Sequence, residues 1–215
     1  MKIGIYGSGG LGKEVYELAG RINAKHKRWD EIVFVDDVRD EGVFFGTRSV
    51  KFERWLEEKG EWECVIGIGE PSSREKLCGK ILQNEIKLAT LIDPSALISP
   101  RAEISCGSIV CEFASIHADV SIGRNCLIQP YCVVGHDTRI GDHSVFSTHC
   151  APGGSCIFGE RVFAGMHSSI KEKVQIGDDV IIAMGASVFQ NLPDGVTVVG
   201  NPARITRGRD DHKVF

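Results

Sequence analysis

Residues 116–146 read IHADVSIGRNCLIQPYCVVGHDTRIGDHSVF. Divided into sixes from Ile116, each block opens on Ile, Val or Phe and carries a small or β-branched residue at its fifth place: Val120, Cys126, Cys132, Thr138 and Ser144. The frame extends without a slip from Ile92 to Val188. Thirteen of the seventeen leads are Ile or Val, the exceptions being Phe146, Pro152, Phe158 and Ala164. Glycine is frequent at the second place, as at Gly123, Gly135, Gly141, Gly153, Gly159, Gly165 and Gly177. A six-residue period of aliphatic, glycine and small residue predicts a parallel β-helix. Each block is a short strand and a corner, three blocks close a triangular coil, and coils stack at the strand spacing of ~4.8 Å.

The period assigns each place a task. Leads stack on one another inside the prism. Fifth-place residues also point inward near the corner, where only a small side chain fits. Cys126, Cys132, Cys150 and Cys156 fall there and are expected as small buried hydrophobes, not nucleophiles. Third and fourth places form the outward corner, which suits Pro94, Pro100 and Pro130. Pro152 is out of pattern at a lead, so 151–155 are expected to distort or bulge.

Outward from the repeats, the first ninety-one residues have another grammar. Lys2–Tyr6 reads as a buried strand, followed by Gly7-Ser8-Gly9-Gly10-Leu11-Gly12 and a helix to about Asn23. Glu31–Asp37 is a second strand ending in two acids, and Cys64–Gly69 a third, with a helix opening near Pro71. Lys87–Ile92 is a fourth strand leading into the coils. Strands alternating with helices predict a small Rossmann-like parallel sheet. The expected organisation is thus α/β followed by β: 1–91 Rossmann-like, 92–205 β-helix, and 206–215 a charged tail.

Composition narrows the function. A net charge of −4 argues against a nucleic-acid or anionic-membrane partner. No apolar run approaches the ~18 residues of a membrane span, and MKIGIYGSGG lacks a signal peptide's apolar stretch. A cytoplasmic protein is expected. Eight cysteines without a CxxC pair indicate neither a disulfide framework nor a zinc site.

The glycine-rich turn lies between a strand and a helix, where backbone N–H groups hold phosphate. Its G-x-G-G-x-G pattern is irregular for a dinucleotide, and the domain is too short for two mononucleotide halves. A nucleotide sugar fits better, with Asp36 or Asp37 accepting a hydroxyl or amine; the plainer reading is a tight turn with solvated acids.

These marks together resemble the bacterial sugar acetyltransferases of the sialic-acid O-acetyltransferase family, which includes N-acetyltransferases of nucleotide-linked 4-amino sugars. They are Tyr6–Gly12, Phe34-Val35-Asp36-Asp37, Gly67-Ile68-Gly69, the hexapeptides, Gly135-His136-Asp137 and Gly200-Asn201-Pro202-Ala203. The resemblance implies a left-handed β-helix, a homotrimer with sites between subunits, and acetyl-CoA as donor without a metal. It implies His136 as general base with Asp137 as its partner, where family members often carry Glu. It further implies Gly9, Gly10, Leu11, Asp36, Asp37, Gly69 and Gln129 toward the acceptor, and Met166 and Met184 toward acetyl-CoA. A family histidine at the acetyl group is Val145 here, leaving His143 or His149 as substitutes.

The residues offer a weaker independent argument for His136. At 18-residue spacing it stacks between Ala118 and Gly154, small neighbours that leave room for a ligand. His149 and His167 should stack with Tyr131, which raises a zinc-dependent hydratase resembling γ-class carbonic anhydrases. The Rossmann-like domain opposes that reading. The sequence is also compatible with transfer to a sugar hydroxyl, as on sialic acid, and with a non-enzymatic nucleotide-sugar-binding protein.

Overall fold

The computed structural model describes residues 1–58, 60–206 and 214. The chain opens with β1 (Lys2–Tyr6), α1 (Gly10–His26), β2 (Glu31–Val35), β3 (Gly42–Phe44), β4 (Thr47–Val50), α2 (Phe52–Leu56), β5 (Trp62–Ile66), α3 (Pro71–Gln83) and β6 (Lys87–Leu88). The sheet order is β3-β4-β2-β1-β5-β6, parallel except for the antiparallel edge strand β3. Ile3, Ile5, Phe34 and Val65 are fully buried at its centre, each apolar side chain adding roughly 1.5–3 kcal/mol.

Two expectations change here. The strand expected over Lys87–Ile92 is two short strands, β6 in the sheet and Leu91–Ile92 in the first coil. The hairpin β3–β4 and helix α2 carry no apolar run long enough to betray them. The hairpin turns through Phe45 (φ 50°) and Gly46 (φ 80°), a two-residue loop with both φ positive that usually shows itself as Asn-Gly.

From Leu91 to Val188 the strands are two residues long and pair in parallel at an 18-residue offset on three faces. The first face carries Ile109–Val110, Leu127–Ile128, Val145–Phe146 and Phe163–Ala164; the second, Ser115–Ile116, Val133–Val134 and Ala151–Pro152; the third, Ser121–Ile122, Arg139–Ile140 and Ile157–Phe158. Leads fill the prism: Val110, Ile116, Ile122, Ile128, Val134 and Phe146 are at most 2% exposed. Ile92, at the open end with no coil beneath it, is 37% exposed. The other end is closed by Thr197–Val199 and Arg204–Thr206, antiparallel about the Gly200–Ala203 turn.

Pro152 produces no bulge. The frame continues through it, and Val133 and Gly135 donate across to the Cys150 and Pro152 carbonyls at 3.1 and 3.0 Å. Its only cost is the N–H it lacks, where the regular ladder of the second face is interrupted.

From Phe113 to Asp179 the fourth-place residues turn each corner in the left-handed backbone region. Phe113, Asp119, Asn125, Tyr131, Asp137, His143, His149, Ser155, Arg161, His167, Lys173 and Asp179 all have φ between 53° and 63°. None is β-branched, as that conformation requires.

Fifth-place residues add a polar staple between coils. The hydroxyls of Ser108, Thr138 and Ser144 donate to the carbonyls of Gly123, Gly153 and Gly159 at 2.7, 3.0 and 3.2 Å. The thiols of Cys126, Cys132 and Cys156 make the same bond to Gly141, Ser147 and Lys171. Burial pushes the Cys126 and Cys150 thiols up to about 12, so neither is a thiolate near neutrality. All eight cysteines are free.

Helix α1 covers the first face. Val15, Leu18 and Ile22 pack with Ile109, Leu127 and Val145 in one apolar cluster. Helix α3 runs along the corner between the third and first faces, where Glu75 pairs with Arg161 at 3.0 Å. No described helix is long and apolar enough to cross a membrane. The tail expected over 206–215 lies outside the described residues except for Thr206 and Val214.

Candidate active site

The glycine turn is built to leave backbone donors open. Gly9 caps α1 with no side chain bonded across the helix end, and the first turn carries no acid. Nothing lies within 4 Å of a Cβ built on Gly9 or Gly10. A Cβ on Gly12 would instead collide with the Gly7 carbonyl, so that glycine lets α1 sit tightly on β1. A helix N-terminus with open backbone donors and no acid in its first turn is an anion seat.

Asp36 holds this turn in shape. Its Oδ2 accepts from the Ser8 N–H (2.8 Å) and hydroxyl (2.5 Å), and its Oδ1 from the Val38 and Arg39 amides, both at 2.9 Å. Burial raises its pKa, but these bonds outweigh burial and the net shift is downward. Asp37 accepts from the Tyr6 hydroxyl (2.5 Å), Lys80 (3.0 Å) and the Phe52 amide (3.0 Å). Both acids thus spend their acceptors on the chain itself. Arg39 lies against the turn, donating to the Ser8 hydroxyl at 2.8 Å with its guanidinium 3.7 Å from the Phe44 ring centre; no sequence pattern marked it. Gly69 follows β5 in the loop beside the turn, before α3.

Gln129 and Leu11 line one cleft between α1 and the coils. Val145 is 2% exposed beneath the N-terminal domain. Met166 and Met184 stand out at 45% and 68% exposure on the corner between the first and second faces. That corner also carries stacked Phe113, Tyr131, His149 and His167, with ring centres 5.1, 4.9 and 4.8 Å apart. His149 and His167 lie face to face at 9°, with their ring planes parallel. His143 is 9% exposed under α3.

His136 stands elsewhere, on the corner between the second and third faces, opposite the face covered by the N-terminal domain. Its Nδ1 meets Asp137 Oδ2 at 2.6 Å. Adjacent residues of a flat strand point apart. Here φ of 60° at Asp137 swings the short carboxylate back to the ring. The imidazole lies over Gly154: a Cβ there would be 2.7 Å from both Cε1 and Nε2. The Nδ1–carboxylate bond leaves Nε2 as the lone-pair nitrogen, aimed along an open column.

A prism of hexapeptide coils carrying a Rossmann-like domain on one face is the architecture of the acyltransferases of the left-handed β-helix class. Residues 2–81 match the PglD N-terminal domain, and residues 119–150 the bacterial transferase hexapeptide (six repeats). The crystal structure of PerB from Caulobacter crescentus, in complex with CoA and GDP-perosamine, is 30% identical over 96% of this chain and 98% of its own, with a TM-score of 0.88. WeeI from Acinetobacter baumannii is 28% identical over 96% and 100%, with a TM-score of 0.90. The acetyltransferase domain of PglB from Neisseria gonorrhoeae is 28% identical over 95% and 99%, with a TM-score of 0.89. The chain belongs to the hexapeptide-repeat acetyltransferases that carry a PglD-type N-terminal domain.

Proposed function

We propose that the protein transfers the acetyl group of acetyl-CoA to the amine of a nucleotide-linked amino sugar of the 4-amino-4,6-dideoxy type. The observation that carries this reading is a match spanning both domains at once, to a structure solved in complex with CoA and GDP-perosamine. The glycine turn supports it, because a free sugar acid would bring no diphosphate to the uncapped α1 terminus.

Acetyl-CoA supplies a thioester: the acceptor nitrogen bonds to its carbonyl carbon, the C–S bond breaks, and CoA leaves as the thiol. His136 Nε2 takes the proton the amine loses on attack. Asp137 fixes the tautomer and steadies the imidazolium that forms. Gly9, Gly10 and Leu11 bind the diphosphate. Asp36 keeps their turn in shape, and Asp37 holds Tyr6 and Lys80 beside it. Gly69 and Gln129 face the acceptor. Exposed Met166 and Met184 offer apolar contact to the pantetheine arm, whereas Val145, expected at the acetyl group, is packed against α1 and offers that group no surface.

One chain holds these groups apart: the acceptor residues lie on the first face and His136 on the opposite corner. Bringing them together takes a second subunit, and the homotrimer that the resemblance implies supplies one, with one subunit's His136 meeting another's glycine turn. A cytoplasmic location belongs to the same reading, supported by eight free thiols.

The test is CoA-thiol release from acetyl-CoA across UDP-, dTDP- and GDP-linked 4-amino sugars, with free sialic acid as control. Release with at least one amino sugar and none with sialic acid is expected. Turnover of sialic acid alone would replace the reading with O-acetylation.

A further inference from the structure

Arg74 on α3 is fully buried, yet its hydrogen bonds go to amide and carbonyl oxygens. Nη1 donates to the Ile66 and Ile68 carbonyls at 2.9 Å each, Nε to the Asn125 carbonyl at 2.9 Å, and Nη2 to Asn125 Oδ1 at 2.8 Å. Burial drives its pKa down to about 10. A guanidinium kept in the interior without a carboxylate is costly, and what it holds is informative. On one side lies the loop Gly67–Gly69, packed against Gly7 and Gly12 of the glycine turn. On the other lies Asn125, a wholly buried corner residue of the β-helix.

Donor logic extends the chain of contacts by one residue. Nη2 can only donate, so the amide atom it meets is the oxygen of Asn125. Asn125 Nδ2 then donates to the Arg74 carbonyl at 3.0 Å and to His143 Nδ1 at 3.0 Å. His143 Nδ1 is therefore an acceptor, and the ring is neutral with its proton on Nε2. The charged groups around the ring are Arg74 and Glu75 from α3 and Asp142 and Glu160 from neighbouring corners. Arg124 pairs with Asp142, and Arg161 with Glu75 and Glu160. Burial, the largest influence, outweighs the acids and lowers the His143 pKa.

We propose that Arg74, acting through Asn125 and a neutral His143, is the positioning residue that sets the acceptor loop Gly67–Gly69 against the β-helix. The proposal rests on the reading of that loop as part of the acceptor site. Protonation of His143 would turn an acceptor into a donor facing the Asn125 amide. The pair would separate, the Asn125 amide would lose the partner that fixes its orientation, and its two side-chain bonds to Arg74 would weaken while the bond from Arg74 Nε to the Asn125 carbonyl remains.

His143→Asn tests this with little risk to the fold. Asparagine places an oxygen near the Nδ1 position, does not titrate, and tolerates the φ of 63° found there better than most residues. The acceptor KM is measured from about pH 7.5 to about pH 4.5 in both proteins, reaching below the ordinary histidine range because burial lowers the His143 pKa. Since one buried hydrogen bond is worth roughly fivefold, the wild-type acceptor KM should rise roughly fivefold more than that of His143→Asn, while the acetyl-CoA KM stays level in both. Other effects of pH on the acceptor and the rest of the site are common to both proteins and cancel. Arg74→Lys, compared at about pH 7.5, should raise the acceptor KM about tenfold and leave the acetyl-CoA KM within about twofold. A second arm needs no substrate and so stands apart from the functional reading: at about pH 4.5, below the ordinary histidine range, amides of the 62–75 segment should exchange with deuterium faster in wild type than in His143→Asn. Equal exchange, or superimposable acceptor KM profiles, would overturn the proposal.

Discussion

Gly154→Ala puts one methyl group into the column above His136. The alanine Cβ would lie 2.7 Å from the imidazole Cε1 and Nε2, against a comfortable contact of ~3.5–4.0 Å. The ring must retreat by about 1 Å. It is free to do so, because the His136 side chain is 65% exposed. The fold should not suffer: Gly154 is outside the left-handed region, and glycine-to-alanine changes at compatible positions stabilise by ~0.4–1 kcal/mol. A reacting group misplaced by about 1 Å costs on the order of 10²-fold. Steady-state assays of CoA-thiol release should therefore show kcat down about 10²-fold, with the melting temperature not lowered and the oligomer size unchanged. The decisive comparison is made in a His136→Ala background, where no ring remains to be displaced. There the same methyl should cost less than about threefold, a strong coupling between the two sites. Additive losses would mean that Gly154 acts on the donor and not on the imidazole. Full activity in the single variant would remove His136 from the reacting centre.

Three further outcomes are expected. His136→Ala alone should lower kcat by ~10²–10⁴-fold while acetyl-CoA affinity measured by calorimetry stays near wild type, and a folded variant with normal kcat would redirect attention to His149. Cys156→Ser should cost less than about 1 kcal/mol by denaturant unfolding, because Ser108, Thr138 and Ser144 already place a hydroxyl on the equivalent carbonyl at 2.7–3.2 Å and a satisfied buried donor carries little penalty; a loss above ~3 kcal/mol would show the staple to be specific to sulfur. The Asp36 pKa lies below its unfolded value, so its carboxylate stabilises the turn above about pH 4 and that contribution is lost as pH falls through the folded pKa; Asp36→Asn should weaken nucleoside-diphosphate binding by about tenfold at neutral pH and flatten the acid limb of the stability curve, and unchanged binding would detach the turn from the acceptor.

The six-residue period made the prism legible because each block solves the same local problem. An aliphatic lead fills the axis, a small fifth residue fills the corner, and both must recur wherever a coil closes. The period even located His136 over Gly154, since stacking at 18 residues is a property of the repeat. The fourth-place conformation was less visible: Phe113, Tyr131 and Arg161 occupy it without resembling turn formers, and only the absence of β-branched residues along the column marks it. Contacts between the domains had no periodic signal at all. Arg74 reads in sequence as one more charged residue of an amphipathic helix, and Asn125 as a polar corner like its neighbours. Their meeting depends on how α3 settles along one edge of the prism. Asp36 illustrates the same limit. Two acids at a strand end suggested groups facing a ligand, whereas the fold spends both carboxylates on the backbone and side chains around the glycine turn. Residues whose partners lie one coil away are written in the repeat. Those whose partners lie in the other domain become readable only once the two are packed together, and it is there that Arg74, Asn125 and His143 join the acceptor loop to the coils.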